Sequence, residues 1–146
     1  MKFLIDTNII LDVLLKREPF CSSGVGVLNL AKQRSVHLYV SASAVTDIYY
    51  IANRELRDKA QVRSLLIKLV KIVSIASVSE DEIQYALSLC WGDFEDSVQY
   101  SVGLLQEMDG IVTRNPKDYK EAEIRIWTPD ELLSQRQQNQ TISPSS

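Results

Sequence analysis

In Met1-Lys2-Phe3-Leu4-Ile5-Asp6-Thr7-Asn8-Ile9-Ile10-Leu11-Asp12, an apolar run breaks abruptly into Asp-Thr-Asn. Phe3-Leu4-Ile5 carries no charge and no polar alternation, the pattern of a strand buried on both faces in a parallel sheet. Thr7 and Asn8 supply helix-capping chemistry ahead of the next apolar stretch. Asp6 therefore falls at the carboxyl end of a buried strand, the edge at which open α/β sheets bind ligands. A carboxylate is costly to desolvate there unless a cation or hydrogen-bond donors meet it.

Four more apolar runs are strand-like, at residues 36–40, 72–75, 110–113 and 125–127. The segments between them carry helical spacing. Ala44, Val45, Ile48, Ile51 and Ala52 mark one helix, and Val62, Leu65, Leu66, Leu69 and Val70 a second. Ile83, Ala86, Leu87 and Cys90 mark a third, and Val98, Val102, Leu104 and Leu105 a fourth. Alternation of strands and helices predicts an α/β fold in three α/β/α layers, with a parallel sheet of four or five strands. The 146 residues fit one domain, expected over residues 1–133. From 134 to 146 the composition turns to Gln, Asn, Ser and Pro, which predicts a flexible C-terminal tail.

Composition removes several function classes. A net charge of −3, from 16 basic and 19 acidic residues, is not that of a protein that holds nucleic acid by bulk electrostatics. Metal ions supplying local positive charge keep a nucleic-acid enzyme in play. Cys21 and Cys90 are the only cysteines and His37 the only histidine. Disulfide frameworks, zinc sites and a Ser-His-Asp triad are therefore hard to build. His37 lies in a strand-like run and reads as structural or merely exposed. No Gly-rich phosphate loop follows any strand, so dinucleotide and P-loop sites lack support. No leader or bilayer-spanning stretch is expected, and a cytoplasmic location is the default.

Three further segments carry acids. Asp47 lies on the helix of Ser43-Ala44-Val45-Thr46-Asp47-Ile48-Tyr49-Tyr50, with Ala44 and Ile51 as same-face neighbours. Asp93-Phe94-Glu95-Asp96 crowds three acids into four positions before another helix. Asp93 suits an N-cap, and acids in a first turn suit the helix dipole. The crowding nonetheless repels itself unless a cation is near. Ile111-Val112-Thr113-Arg114-Asn115-Pro116-Lys117-Asp118-Tyr119 ends a buried strand in a polar turn, setting Thr113, Asn115 and Asp118 at the same sheet edge as Asp6. Oxygen-only ligands favour Mg²⁺ or Mn²⁺ over zinc. Such ions suit in-line phosphoryl chemistry, because they activate water and shield phosphate charge.

In these four segments, and in their order, the sequence resembles a PIN domain, the ribonuclease fold of VapC-type toxins of toxin–antitoxin pairs. The resemblance covers residues 1 to about 133. It implies a metal-dependent endoribonuclease acting on RNA and leaving a 5′-phosphate and a 3′-hydroxyl. By that likeness Asp6, Asp47 and Asp96 match the acidic metal-binding core, and Asp118 or Asn115 a less constant fourth position. Asp93 is a further acid, either ligand or cap. Thr7, Asn8 and Thr113 match polar positions that orient the acids or a water. Many members carry Glu where this chain has Asp47, and the shorter side chain implies contact through water. The resemblance also implies Mg²⁺ or Mn²⁺ as cofactor, a cognate antitoxin protein and a homodimer. Lys16, Arg17, Arg54, Arg57, Lys59 and Arg114 are basic candidates for the RNA backbone. The helical hairpin of residues 41–71 reads either as a partner surface or as core. Two other readings remain: a PIN-like scaffold that binds RNA or protein without cutting, and a dehalogenase-like phosphatase. The latter needs a second Asp two residues after Asp6, where this chain has Asn8.

Overall fold

The computed structural model describes residues 1–142, with side chains described as far as residue 137. Five strands form one sheet: β1 (Lys2–Ile5), β2 (His37–Ser41), β3 (Ser74–Ala76), β4 (Gly110–Val112) and β5 (Arg125–Trp127). Their order is β3-β2-β1-β4-β5, and every pairing is parallel. The helices are α1 (Thr7–Leu14), α2 (Phe20–Asn29), α3 (Ala42–Leu56), α4 (Lys59–Leu69), α5 (Glu80–Ser88), α6 (Phe94–Leu105) and α7 (Pro129–Ile142). The chain builds the sheet outward from β1 in one direction, then returns to add β4 on the other side. Strand order thus reverses between β1 and β4, which opens a crevice outside their carboxyl ends.

The alternation of side chains along each strand sorts the core into two layers. Phe3 and Ile5 of β1, Leu38 and Val40 of β2, and Val112 of β4 meet α1 to α4 and α7 through Ile9, Ile10, Val27, Ile48, Val62 and Leu132. Leu4 and Ile111 face the opposite way, onto Ala86 of α5 and Val98, Tyr100 and Val102 of α6. Phe3, Leu4 and Ile5 are all fully buried, which is why their run shows no polar alternation. Gly110 answers a close approach. A Cβ there would meet the Trp127 ring at 2.7 Å and the Arg125 carbonyl at 3.0 Å.

α7 crosses the expected boundary after residue 133. Leu132 is fully buried, and the Arg136 guanidinium donates to Gln33 Oε1 at 2.8 Å and Ser35 Oγ at 3.1 Å. A Gln- and Ser-rich composition concealed a helix whose docking needs only a few apolar side chains. Residues 143–146 of the expected tail lie outside the described residues. Among the described residues, no helix is long and apolar enough to cross a membrane.

Candidate active site

Asp6 closes β1 and stands at the N-cap of α1, yet its side chain caps nothing. Its backbone N–H is taken by the Val112 carbonyl at 2.9 Å, which locks the end of β1 to the end of β4. Its carboxylate is held from two other directions instead. Thr113 Oγ1 donates to Oδ2 at 2.9 Å, and Gln99 Nε2 donates to Oδ1 at 2.7 Å. Asp6 is 6% exposed, and both donors are buried. Burial pushes its carboxyl above the usual range, and the hydrogen bonds from Gln99 and Thr113 pull it back. Thr7, expected to cap, is the first residue of α1, and its hydroxyl donates across the crevice to Glu95 Oε1 at 3.2 Å.

Helix α6 supplies the next acids. Asp93 is its N-cap, with Oδ1 accepting from the Asp96 backbone N–H at 3.1 Å. Asp96 lies one turn before Gln99, so a carboxylate and the amide that steadies Asp6 share one helix face. Asp118 ends the short 3-10 turn Pro116–Asp118 that follows β4. Asp6, Thr7, Asn8, Asp93, Glu95, Asp96 and Asp118 line one cavity of about 150 Å³ at the carboxyl ends of β1 and β4.

Four of the carboxylates named from sequence therefore meet there: Asp6, Asp93, Asp96 and Asp118. Asn8 joins them, and Thr113 acts from beneath through Asp6. Asp47 does not line this cavity. It lies against Glu95, whose carboxyl it helps to raise. Asn115 does not line it either; its backbone N–H donates to Thr113 Oγ1 at 3.2 Å. Two site residues were missed in the sequence. Glu95 was visible only as part of the acid crowding. Gln99 lies three residues after Asp96, a spacing that any polar residue on that helix face could have, so the sequence held no signal for it.

The electrostatics follow from the crowding. Burial, then repulsion from Asp93, Asp6, Asp118 and Glu95, pushes the Asp96 carboxyl up to about 7. Burial, then the Asp47 carboxylate beside it, pushes Glu95 up to about 7 as well. Without a cation the cluster retains protons near neutral pH, the response of carboxylates that cannot all ionise together. The donor set is oxygen only, which fits a hard divalent ion such as Mg²⁺ or Mn²⁺. Among the described residues, no three acidic, histidine or cysteine side chains already stand close enough together to ligate one.

Of the basic candidates, Arg114 and Arg17 are engaged elsewhere. Arg114 Nε lies 2.7 Å from Oδ2 of buried Asp12, and its guanidinium sits 4.1 Å over the Phe20 ring. Arg17 pairs with Glu55 at 2.7 Å. Lys16, Arg54, Arg57 and Lys59 are exposed.

Comparison with known proteins agrees with this architecture. No curated protein matches the chain. Among solved structures, DNA-bound VapBC from Salmonella typhimurium matches at a TM-score of 0.69 and 16% identity, covering 88% of this chain and 98% of that one. VapBC2 from Rickettsia felis, bound to a promoter DNA fragment, matches at 0.67 and 19%, covering 88% and 98%. VapC20 from Mycobacterium tuberculosis, a sarcin-ricin loop cleaving toxin, matches at 0.60 and 15%, covering 75% and 86%. At these identities the likeness is one of fold. The PIN domain family model matches residues 2–117, a span that holds β1 to β4 and all but one of the acids around the cavity. With the family model covering residues 2–117, the chain belongs to the PIN domain family.

Proposed function

We propose that this protein is a metal-dependent endoribonuclease, the toxin of a toxin–antitoxin pair. The observation that carries this reading is the convergence of Asp6, Glu95, Asp96 and Asp118 on one small cavity at the topological switch point. Asp6, Asp96 and Asp118 would hold the Mg²⁺ or Mn²⁺, with Asp93 beside them and Asp47 acting through Glu95. Held there, such an ion would supply Lewis-acid polarisation of the phosphodiester and activation of water. The chain's own residues do the positioning. Thr113 and Gln99 fix the Asp6 carboxylate in one orientation, so that the other acids would close on a ligand group already in place. Thr7 ties Glu95 to the start of α1, and Asn8 offers an exposed amide at the cavity rim. The acids can repel an unshielded RNA backbone, so cation and substrate must enter as a charge-balanced set.

The toxin reading draws on the VapBC complexes that share this fold. It draws also on exposed apolar side chains of the α3–α4 hairpin, Tyr50 at 72% and Ile67 at 52% exposure, which suit an antitoxin segment or a second copy of the chain. The deciding experiment is cleavage of a mixed-sequence RNA under Mg²⁺ and Mn²⁺ titration, with Asp6→Asn as control. Cleavage with 5′-phosphate products by the wild type and none by Asp6→Asn is expected. Equal cleavage by both overturns the metal-nuclease reading, and metal-independent RNA binding without cleavage favours the scaffold.

A further inference from the structure

A second, larger cavity adjoins the acid site. Its volume is about 490 Å³, and three of the acids, Asp93, Asp96 and Asp118, line both. Besides one more acid, Glu121, it adds groups of different chemistry: the indole of Trp91 and the ammonium groups of Lys117 and Lys120. Trp91 is half-buried. One face of its ring stacks on Tyr100 at 4.8 Å between centroids, and Tyr119 meets it edge-on at 6.1 Å. Tyr100 and Tyr119 are 2% and 4% exposed, so the indole is backed by core and held rigid. Cys90, in the left-handed region at φ 55°, turns the chain between the end of α5 and Trp91. Lys117 and Lys120 are exposed, and neither takes part in an ion pair among the described residues.

We propose that this cavity is a nucleotide subsite for single-stranded RNA, in which a base adjoining the cleaved phosphate stacks on Trp91 and the flanking phosphates meet Lys117 and Lys120. The proposal rests on the nuclease reading above and adds to it the contact that seats the strand. A chain with a net charge of −3 gains little from bulk electrostatics, so local contacts to the strand carry more of its affinity. A rigid aromatic face beside two unpaired lysines is the combination that single-strand binders use, because every base offers a π-face and every linkage a charge. Sharing Asp93, Asp96 and Asp118 with the acid cavity makes the two sites continuous, as a strand passing through both requires.

The test uses the full chain carrying Asp6→Asn, with Mg²⁺ and a mixed-sequence oligoribonucleotide, so that bound RNA stays intact. The chain has two tryptophans, and Trp127 is only 4% exposed. RNA should quench the emission of Trp91, and Trp91→Leu should abolish the quench and weaken binding roughly ten- to hundredfold. Because Trp91→Leu also loosens the packing on Tyr100, a second variant reads the charge alone. Lys117→Ala with Lys120→Ala alters only exposed side chains and should lower the slope of log Kd against log salt by about 1.4, for two phosphate contacts on a single strand. In the wild-type background, one abasic position next to the cut should raise KM, and should cost nothing further in Trp91→Leu. An RNA titration without quench, or a salt slope unchanged in the double lysine variant, overturns the subsite. Wild-type cleavage with those negative results keeps the nuclease and removes the subsite. Quench and salt effect without any wild-type cleavage keep the subsite and remove the nuclease.

Discussion

Thr113 Oγ1 donates to Asp6 Oδ2 at 2.9 Å and so joins the carboxyl ends of two neighbouring parallel strands through a side chain. The pair sits where strand order reverses, and Thr113 is fully buried. Thr113→Val keeps the shape and removes the donor. A hydrogen bond to a buried charge is worth about 2 kcal/mol, so urea unfolding at pH 7 should show a loss of that order. RNA cleavage should fall at least tenfold, because Asp6 is freed to rotate, while Thr113→Ser should retain both properties. Unchanged cleavage in Thr113→Val would show that Asp6 needs no orienting donor from β4.

The crowded acids give the metal-free protein a defined pH response. The Asp96 carboxyl is raised from 3.8 to about 7, chiefly by burial and then by Asp93, Asp6, Asp118 and Glu95. An acid whose folded pKa lies above its unfolded one binds its proton more tightly when folded. Its stabilising contribution is therefore complete below pH 4 and lost as pH rises through about 7. Asp96→Asn has no such proton to lose. In a chelator, the melting temperature of wild type should fall relative to Asp96→Asn between pH 4 and 8, so that the variant is the more stable at pH 8. Adding Mg²⁺ at pH 8 should stabilise wild type and close the gap. A gap that stays constant across this range would mean that Asp96 does not feel its neighbours.

Much of this was legible in the sequence because buried parallel strands leave an unbroken apolar run. Phe3-Leu4-Ile5 and Gly110-Ile111-Val112 both end in the residues that make the site. The five strand positions follow from such runs, with β1 and β5 at the expected ends and those of β2, β3 and β4 shifted by one or two residues. What escaped notice was geometry between distant segments. Nothing local distinguishes Gln99 from any polar helix residue, yet its amide meets Asp6 across 93 positions of chain. Asp12 likewise carries no local mark of its role, yet it is 1% exposed and paired with Arg114. The helix over residues 134–142 was hidden for another reason. Residues 134–137 bury little apolar area, so composition carried no trace of a helix that Leu132 and Leu133 anchor from its first turns.

That pairing makes Arg114 a structural cation. Its Nε is 2.7 Å from Asp12 Oδ2, and its Nη2 donates to Oδ1 at 3.3 Å. Removing one partner of a buried pair strands the other, at a cost of about 3 kcal/mol. Arg114→Ala should lose stability on that scale, and adding Asp12→Asn should restore part of it by removing the stranded charge. The salt dependence of RNA binding should stay as in wild type in the double variant. A reduced salt slope there would return Arg114 to the RNA contacts expected from the sequence.

Asp93 occupies two roles at once, and one substitution separates them. Its Oδ1 caps α6 through the Asp96 N–H at 3.1 Å, and its side chain lines the acid cavity. Serine caps a helix about as well as aspartate, but it is a poor ligand for a hard divalent cation. Asp93→Ser also removes one of the charges that repel Asp96, so the Asp96 carboxyl should titrate lower. A residue that only caps predicts unchanged melting and an unchanged metal requirement. A residue that helps to hold the cation predicts unchanged melting with a several-fold rise in the Mg²⁺ needed for half-maximal cleavage. The second outcome is expected, because a cap needs no further acids beside it and Asp93 shares its cavity with Asp6, Asp96 and Asp118. A Mg²⁺ titration of cleavage, run beside a thermal melt in chelator, decides between them. Coincident Mg²⁺ curves would leave Asp93 as a cap and reduce the ligand set to Asp6, Asp96 and Asp118.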